Sequence, residues 1–209
     1  MLSELEYGSY LVYPTRDASE IGGKARAIVD AIKIDHGNMI KVVAGKIAAE
    51  KTVPFADILG KDAVLVPMPR KAPMKAAALW PAMRICQELH AVGFGKEIAP
   101  LLHRATAVRS SRTAGLGNRP KPQEHFESFK VTKQAILGAG RITIVDDVVT
   151  LGATAIAAAS RLALVYPKIP IALFAVARTR GMDQDTPNVI SPYRDWIDLH
   201  GSSSNRRGD

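Results

Sequence analysis

The chain has 209 residues, 47% of them apolar, with 28 Lys and Arg against 20 Asp and Glu and a formal net charge of +8. That length and composition exclude disorder and suit one α/β domain with an added subdomain, and no apolar run approaches a membrane span and no signal-peptide pattern opens the chain. The single cysteine, Cys86, excludes an internal disulfide and a cysteine metal cluster and makes a reducing cytoplasm the expected compartment, while the basic balance favours polyanionic partners such as a pyrophosphorylated sugar, a nucleotide or nucleic acid.

Residues 1–60 read as a flank beside a sheet. Tyr7 to Pro14 is a short strand ended by Pro14, and Gly22-Gly23 is a turn. Lys24 to Lys33 is an amphipathic helix with Ile28, Ala31 and Ile32 on one face, and Met39 to Lys51 is a second helix, apolar at Ile40, Val43, Ala44 and Ile47. Residues 62–71 form a buried strand, Ala63-Val64-Leu65-Val66, followed by a Pro-framed loop with two cations, Arg70 and Lys71. Residues 74–91 are helical, with Pro81 tolerated only at a helix start or a kink. Glu97 to Leu102 is a third short strand.

Residues 103–122 change character. His103-Arg104 opens a run rich in Gly, Ser and Pro with cations and no acid, and periodicity is lost. A loop this long is usually functional or disordered. It serves a phosphorylated ligand, acts as a basic arm for nucleic acid, or is plainly solvated; aromatic residues that would stack on bases are missing from it. His125 to Thr132 alternates and reads as a returning hairpin strand; His125, at the end of the loop, reads as a surface residue, with contact to a ligand as the alternative.

Arg141-Ile142-Thr143-Ile144-Val145 is a β-branched apolar run, the pattern of a buried parallel strand. Asp146 and Asp147 follow at its carboxyl end, then Val148, Val149 and a loop carrying Thr150, Leu151, Gly152, Ala153 and Thr154. An Ala-rich helix from Ala155 to Val165 comes next, stopped before Pro167. Ligands of open α/β sheets bind beyond the carboxyl ends of strands, and a helix N-terminus offers unpaired N–H groups to an anion. Gly152 admits close backbone approach, and the threonine hydroxyls donate. Two acceptor-only carboxylates suit a sugar diol or a hydrated divalent cation. One phosphate and one diol at this spacing describe a ribose 5-phosphate. Ile169 to Arg178 is a further buried strand, completing a strand–helix–strand unit. Residues 181–209 lose periodicity, and Gly201 onward reads as a frayed tail.

The stretch Ile144 to Thr154 resembles the phosphoribosyl-pyrophosphate signature of the type I phosphoribosyltransferases, and the chain is most similar to their competence-protein-F-like branch over about residues 62–180. Leu151 departs from the pattern, standing where a threonine is common. The resemblance implies a Rossmann-like parallel sheet flanked by helices, with an N-terminal hood (residues 1–60), a core (61–180) and a C-terminal extension (181–209). It implies that Asp146 and Asp147 hold the ribose hydroxyls and touch magnesium, and that residues Val148 to Thr154 form the 5-phosphate loop. Arg70 or Lys71 would bind the pyrophosphate, and the long loop would close over the ligand with Arg104, Arg112 and Arg119 as candidate diphosphate clamps. The implied reaction is transfer of the phosphoribosyl group from phosphoribosyl pyrophosphate to a nitrogen acceptor, by a protein that is a homo-oligomer or part of a larger assembly. A non-catalytic phosphosugar or nucleotide sensor, in which nucleic acid is a further partner, is the alternative, and a hydrolase using the same ribose site is a third reading.

Overall fold

The computed structural model describes residues 1–75, 77–109, 120–180 and 188–208. Along them run β1 (Glu4–Pro14), α1 (Glu20–Lys33), α2 (Met39–Ala49), β2 (Ala63–Pro67), α3 (Pro81–Ala91), β3 (Glu97–Ile98), β4 (Leu102–Arg104), α4 (Pro122–Ser128), β5 (Phe129–Val131), β6 (Arg141–Val149), α5 (Ala153–Val165), β7 (Ile171–Arg180), β8 (Ile190–His200) and β9 (Ser203–Arg206). Seven strands form one sheet in the order β3-β2-β6-β7-β1-β8-β9, and β4 and β5 pair separately as an antiparallel ribbon. From β3 to β1 the sheet is parallel; β8 and β9 extend it antiparallel. The fold is therefore α/β, a mostly parallel mixed sheet flanked by helices and compatible with a Rossmann-like architecture.

Both faces of the sheet are covered, which is why β2 is apolar at every position and buried throughout. On one face Val64, Ile142, Ile144 and Leu173 pack under α5. On the other, Leu65, Val145 and Phe174 pack under α1, α2 and α3 through Val29, Ile32, Ile47 and Ile85. Successive residues of β6 thus go to opposite cores, as the pleat requires.

Several elements depart from the sequence reading. β1 belongs to the sheet, with Gly8 opposite Phe174 of β7 and Arg194 of β8, so residues 1–60 contribute a central strand as well as the flanking helices. A Cβ on Gly8 would stand 2.4 Å from that of Phe55, so the segment after α2 packs directly on the strand's backbone. Gly22 and Gly23 lie within α1, whose N-cap Ser19 accepts the Gly22 N–H at 3.0 Å. Pro81 is the first residue of α3, and residues 77–80 lead into it outside the helix. The Glu97–Leu102 strand divides into β3 and β4. The 125–132 strand holds only from Phe129, where β5 returns antiparallel on β4; residues up to Ser128 are helical, because Pro122 starts α4 and the Lys121 N–H donates to Glu124 Oε1 at 3.0 Å. The end of the chain pairs back: β9 lies on β8, and β8 carries a bulge around Ser191-Pro192 where its register against Ser9 and Leu11 shifts.

The connections decide where a ligand goes. From β2 the chain leaves through α3 to β3 on one side. From β6 it leaves through α5 to β7 on the other, over the opposite face. β2 and β6 are neighbours, with Pro67 opposite Val145. Their carboxyl ends therefore bound the crevice of a topological switch point.

Candidate functional site

Pairing of β6 with β2 ends at Val145, whereas pairing with β7 continues to Val149. Asp146 and Asp147 lie in this overhang, inside the strand and at the crevice, and both keep partial access to solvent. The Asp147 N–H donates to Asp146 Oδ1 at 2.9 Å, and the Val148 N–H donates to Asp147 Oδ1 at 2.9 Å. Burial, then the neighbouring Asp147 charge, raises the Asp146 carboxyl well above its usual range, and the Arg104 charge only partly opposes this. A carboxylate so placed gains most from a hydroxyl donor or a cation brought in by a ligand.

Val148 packs into the core beneath α1–α3 and Val149 into that beneath α5, so these two anchor the loop by their side chains. Thr150 and Leu151 are exposed, and Leu151 presents 45% of its surface to solvent. Gly152 is the N-cap of α5 at φ +85°, and a Cβ there would meet Ile197 Cγ2 at 2.5 Å. Only glycine satisfies both demands. The Gly152 carbonyl accepts from Ile156 N–H at 2.9 Å, and among the described residues no side chain caps the helix. The N–H groups of Ala153, Thr154 and Ala155 thus end the helix without intrahelical acceptors. The Thr154 side chain is half-buried at the same end.

The β2 side supplies cations. The Met68 N–H donates to the Val145 carbonyl at 2.8 Å and Trp80 Nε1 donates to the Met68 carbonyl at 2.7 Å, so this loop is tied to the tip of β6. Arg70 is exposed, and its Nη1 donates to the Leu79 carbonyl at 3.1 Å. Lys71 is exposed as well, its carbonyl accepts the Val108 N–H at 2.9 Å, and its charge reaches His125.

Arg104 is not an outward arm of the long loop. It is 4% exposed and lies 3.6 Å from the Phe129 ring centroid. Its Nη1 donates to Ser128 Oγ and, at 3.4 Å, to the His125 carbonyl; its Nη2 meets His125 Nδ1 at 3.2 Å. Its charge is directed at Asp146 from within the protein. Arg112 and Arg119 lie outside the described residues. Arg109 pairs with Glu124 at 3.2 Å on the surface.

His125 is buried on α4, not on the surface, and its Nε2 lies 3.3 Å from Thr154 Oγ1. Burial, then the nearby Arg104 charge, pushes its imidazole down to about 4, so it is neutral at physiological pH. Pattern reading offers His125 as a ligand contact only as the lesser alternative and gives Ser128 no role. The available signal was Pro122 followed by Glu124, a helix start that returns residues three and four apart to one face. A depressed folded-state value means that the unfolded chain takes up a proton first as pH falls. The stabilisation is complete above about 6.5 and is lost as pH falls toward about 4. His125→Gln should remove most of this loss, which is about 3 kcal/mol at its limit. The urea midpoints of the two proteins at pH 7 and pH 4.5 measure it.

Among the described residues no cluster of three or more His, Cys, Asp or Glu could hold a metal, and no helix is long and apolar enough to cross a membrane. Cys86 is buried in α3, and burial pushes its thiol up, so it is an apolar filler and not a nucleophile. No protein-family model matches the chain, and no curated protein matches it.

Proposed function

We propose that the chain is a phosphoribosyltransferase-like protein of the type I kind that binds phosphoribosyl pyrophosphate with magnesium and transfers the phosphoribosyl group to a nitrogen acceptor. The observation that carries this reading is the coincidence, at one switch point, of an acid pair on the β6 overhang with an uncapped α5 end entered through a left-handed glycine. Amides of Gly152 to Ala155 and the Thr150 and Thr154 hydroxyls would take the 5-phosphate. Asp146 and Asp147 would accept from the two ribose hydroxyls. Arg70 or Lys71, on the loop after β2, would hold the pyrophosphate.

The donor set fits magnesium that arrives with its ligand. Asp146 and Asp147 would supply part of its oxygen shell, and the ligand would bring the rest. When bound, magnesium supplies charge neutralisation on the departing pyrophosphate. This chain's own contribution is to hold the ribose so that its anomeric carbon faces the acceptor, and to place carboxylates where positive charge develops on the sugar. The bond from the anomeric carbon to pyrophosphate oxygen would break with its electron pair going to the pyrophosphate, a bond to the acceptor nitrogen would form, and the proton that this nitrogen sheds would pass to the pyrophosphate or to solvent.

Leu151 favours a second reading. An exposed leucine in place of a hydroxyl donor removes one charge-assisted hydrogen bond, worth roughly 1.5–3 kcal/mol. A protein that senses the phosphosugar without turning it over tolerates that loss more easily than an enzyme. At ligand about 100-fold above its dissociation constant, phosphoribosyl pyrophosphate with magnesium should raise Tm by about 5–10 °C. No shift would remove both readings. Pyrophosphate release on addition of a base separates the transferase from the sensor.

A further inference from the structure

We propose that His125 is a positioning residue that fixes the direction of the Thr154 hydroxyl, aiming its hydrogen out of the protein at a ligand phosphate; this rests on the phosphosugar reading of the α5 end. The logic is one of donors and acceptors. A guanidinium has five N–H donors and no acceptor. Arg104 Nη2 lies 3.2 Å from His125 Nδ1, so Nδ1 must present its lone pair. A neutral imidazole then carries its single proton on Nε2. Nε2 stands 3.3 Å from Thr154 Oγ1, and it donates to that oxygen. The hydroxyl is thereby an acceptor toward the protein, and its own hydrogen is released toward the crevice.

Ser160, two turns later in α5, shows the ordinary alternative. Its Oγ donates back to the Ile156 carbonyl at 2.6 Å and is spent inside the helix. Thr154 lies in the first turn of α5, where residue 150 is loop and offers no such helical carbonyl, so the imidazole is its hydrogen-bond partner on the protein side. Arg104 is fixed in turn by Ser128 and by the Phe129 ring, and Ser128 Oγ donates to the His125 carbonyl at 2.7 Å. The result is a relay of donors, Arg104 to His125 to Thr154 to phosphate, in which each bond polarises the next. The buried guanidinium thus favours an anion at the helix end without leaving the core.

Two measurements test this. In the ligand-free protein at pH 7, the ring 15N shifts of His125 should show the Nε2–H tautomer. An Nδ1–H tautomer or an imidazolium overturns the relay whatever the ligand does. Titration calorimetry with ribose 5-phosphate should show Thr154→Val and His125→Phe each weakening binding by about 10-fold. The double variant should be no weaker than Thr154→Val alone, because both remove one relay. His125→Gln, whose amide nitrogen reaches the Nε2 position, should keep most of the affinity, which a purely packing role for the ring does not explain. Wild-type binding with multiplying losses, or with no loss in His125→Phe, overturns the proposal. Absence of wild-type binding overturns the phosphosugar reading beneath it, and the tautomer shift distinguishes the two failures. If His125→Phe does not fold, the Gln variant and the tautomer decide.

Discussion

Asp146→Asn should make the ligand-free protein more stable at neutral pH while lowering its affinity for phosphoribosyl pyrophosphate by about 10- to 100-fold, the loss of a hydrogen bond to a charged group. The two effects have one cause. Burial and the Asp147 charge raise the Asp146 carboxyl in the folded protein, so the native state holds its proton more tightly than the unfolded chain does. Stability from this group is present at low pH and is lost as pH rises from the ordinary carboxylate range through the raised value, so at neutral pH the group is a cost to folding. Asparagine removes that cost and can still accept the Asp147 N–H that now bonds Asp146 Oδ1. It replaces a carboxyl that can ionise against the ligand by an amide that cannot, and that donates as well as accepts. Urea unfolding at pH 7 and calorimetry with ligand and magnesium read the two halves. A variant that loses stability and keeps affinity would show that Asp146 is a structural acid.

Gly152→Val should have the largest effect on folding of any single change in the loop. Gly152 sits at φ +85°, a conformation that costs other residues roughly 1–2 kcal/mol. Its new Cβ would stand 2.5 Å from Ile197 Cγ2, and overpacking of this kind costs about 1–3 kcal/mol. Together they predict a loss of about 2–5 kcal/mol, read from the denaturant midpoint, with loss of phosphate binding as the helix end shifts. Ile197→Ala in the same chain should recover the steric part and leave the conformational part.

Where the sequence spoke clearly, it did so through period and punctuation. β2 is apolar throughout, and β6 and β7 carry the apolar runs Ile142 to Val145 (broken only by Thr143) and Ile171 to Ala177 because both their faces are covered there, and such runs have few other uses. α5 follows a glycine and stops before Pro167. The acid pair, Gly152 and Thr154 are local in sequence, so their juxtaposition needs only the strand–loop–helix geometry to be right. Other parts depend on distant partners. β8 and β9 take their strand form from pairing on β1 and on one another, and their own residues carry little apolar alternation. Phe129 and Val131 alternate as a strand while Phe126 and Phe129 stand at a helical spacing of three, so the segment is ambiguous by period; Pro122 with Glu124 starts α4, and β5 takes over at Phe129. Arg104 looked like a loop cation because its neighbours in sequence are loop-like, yet β4 turns it inward over Phe129.

The central claim is that the β6–α5 turn holds a phosphorylated ribose, and amide NMR during titration with ribose 5-phosphate tests it most directly. The expected result is saturable 15N–1H shifts concentrated at Leu151 to Ala155 and at Asp146 and Asp147, lost in Gly152→Val. Saturable binding whose shifts fall elsewhere, or no shift at this turn at millimolar ligand, would contradict it.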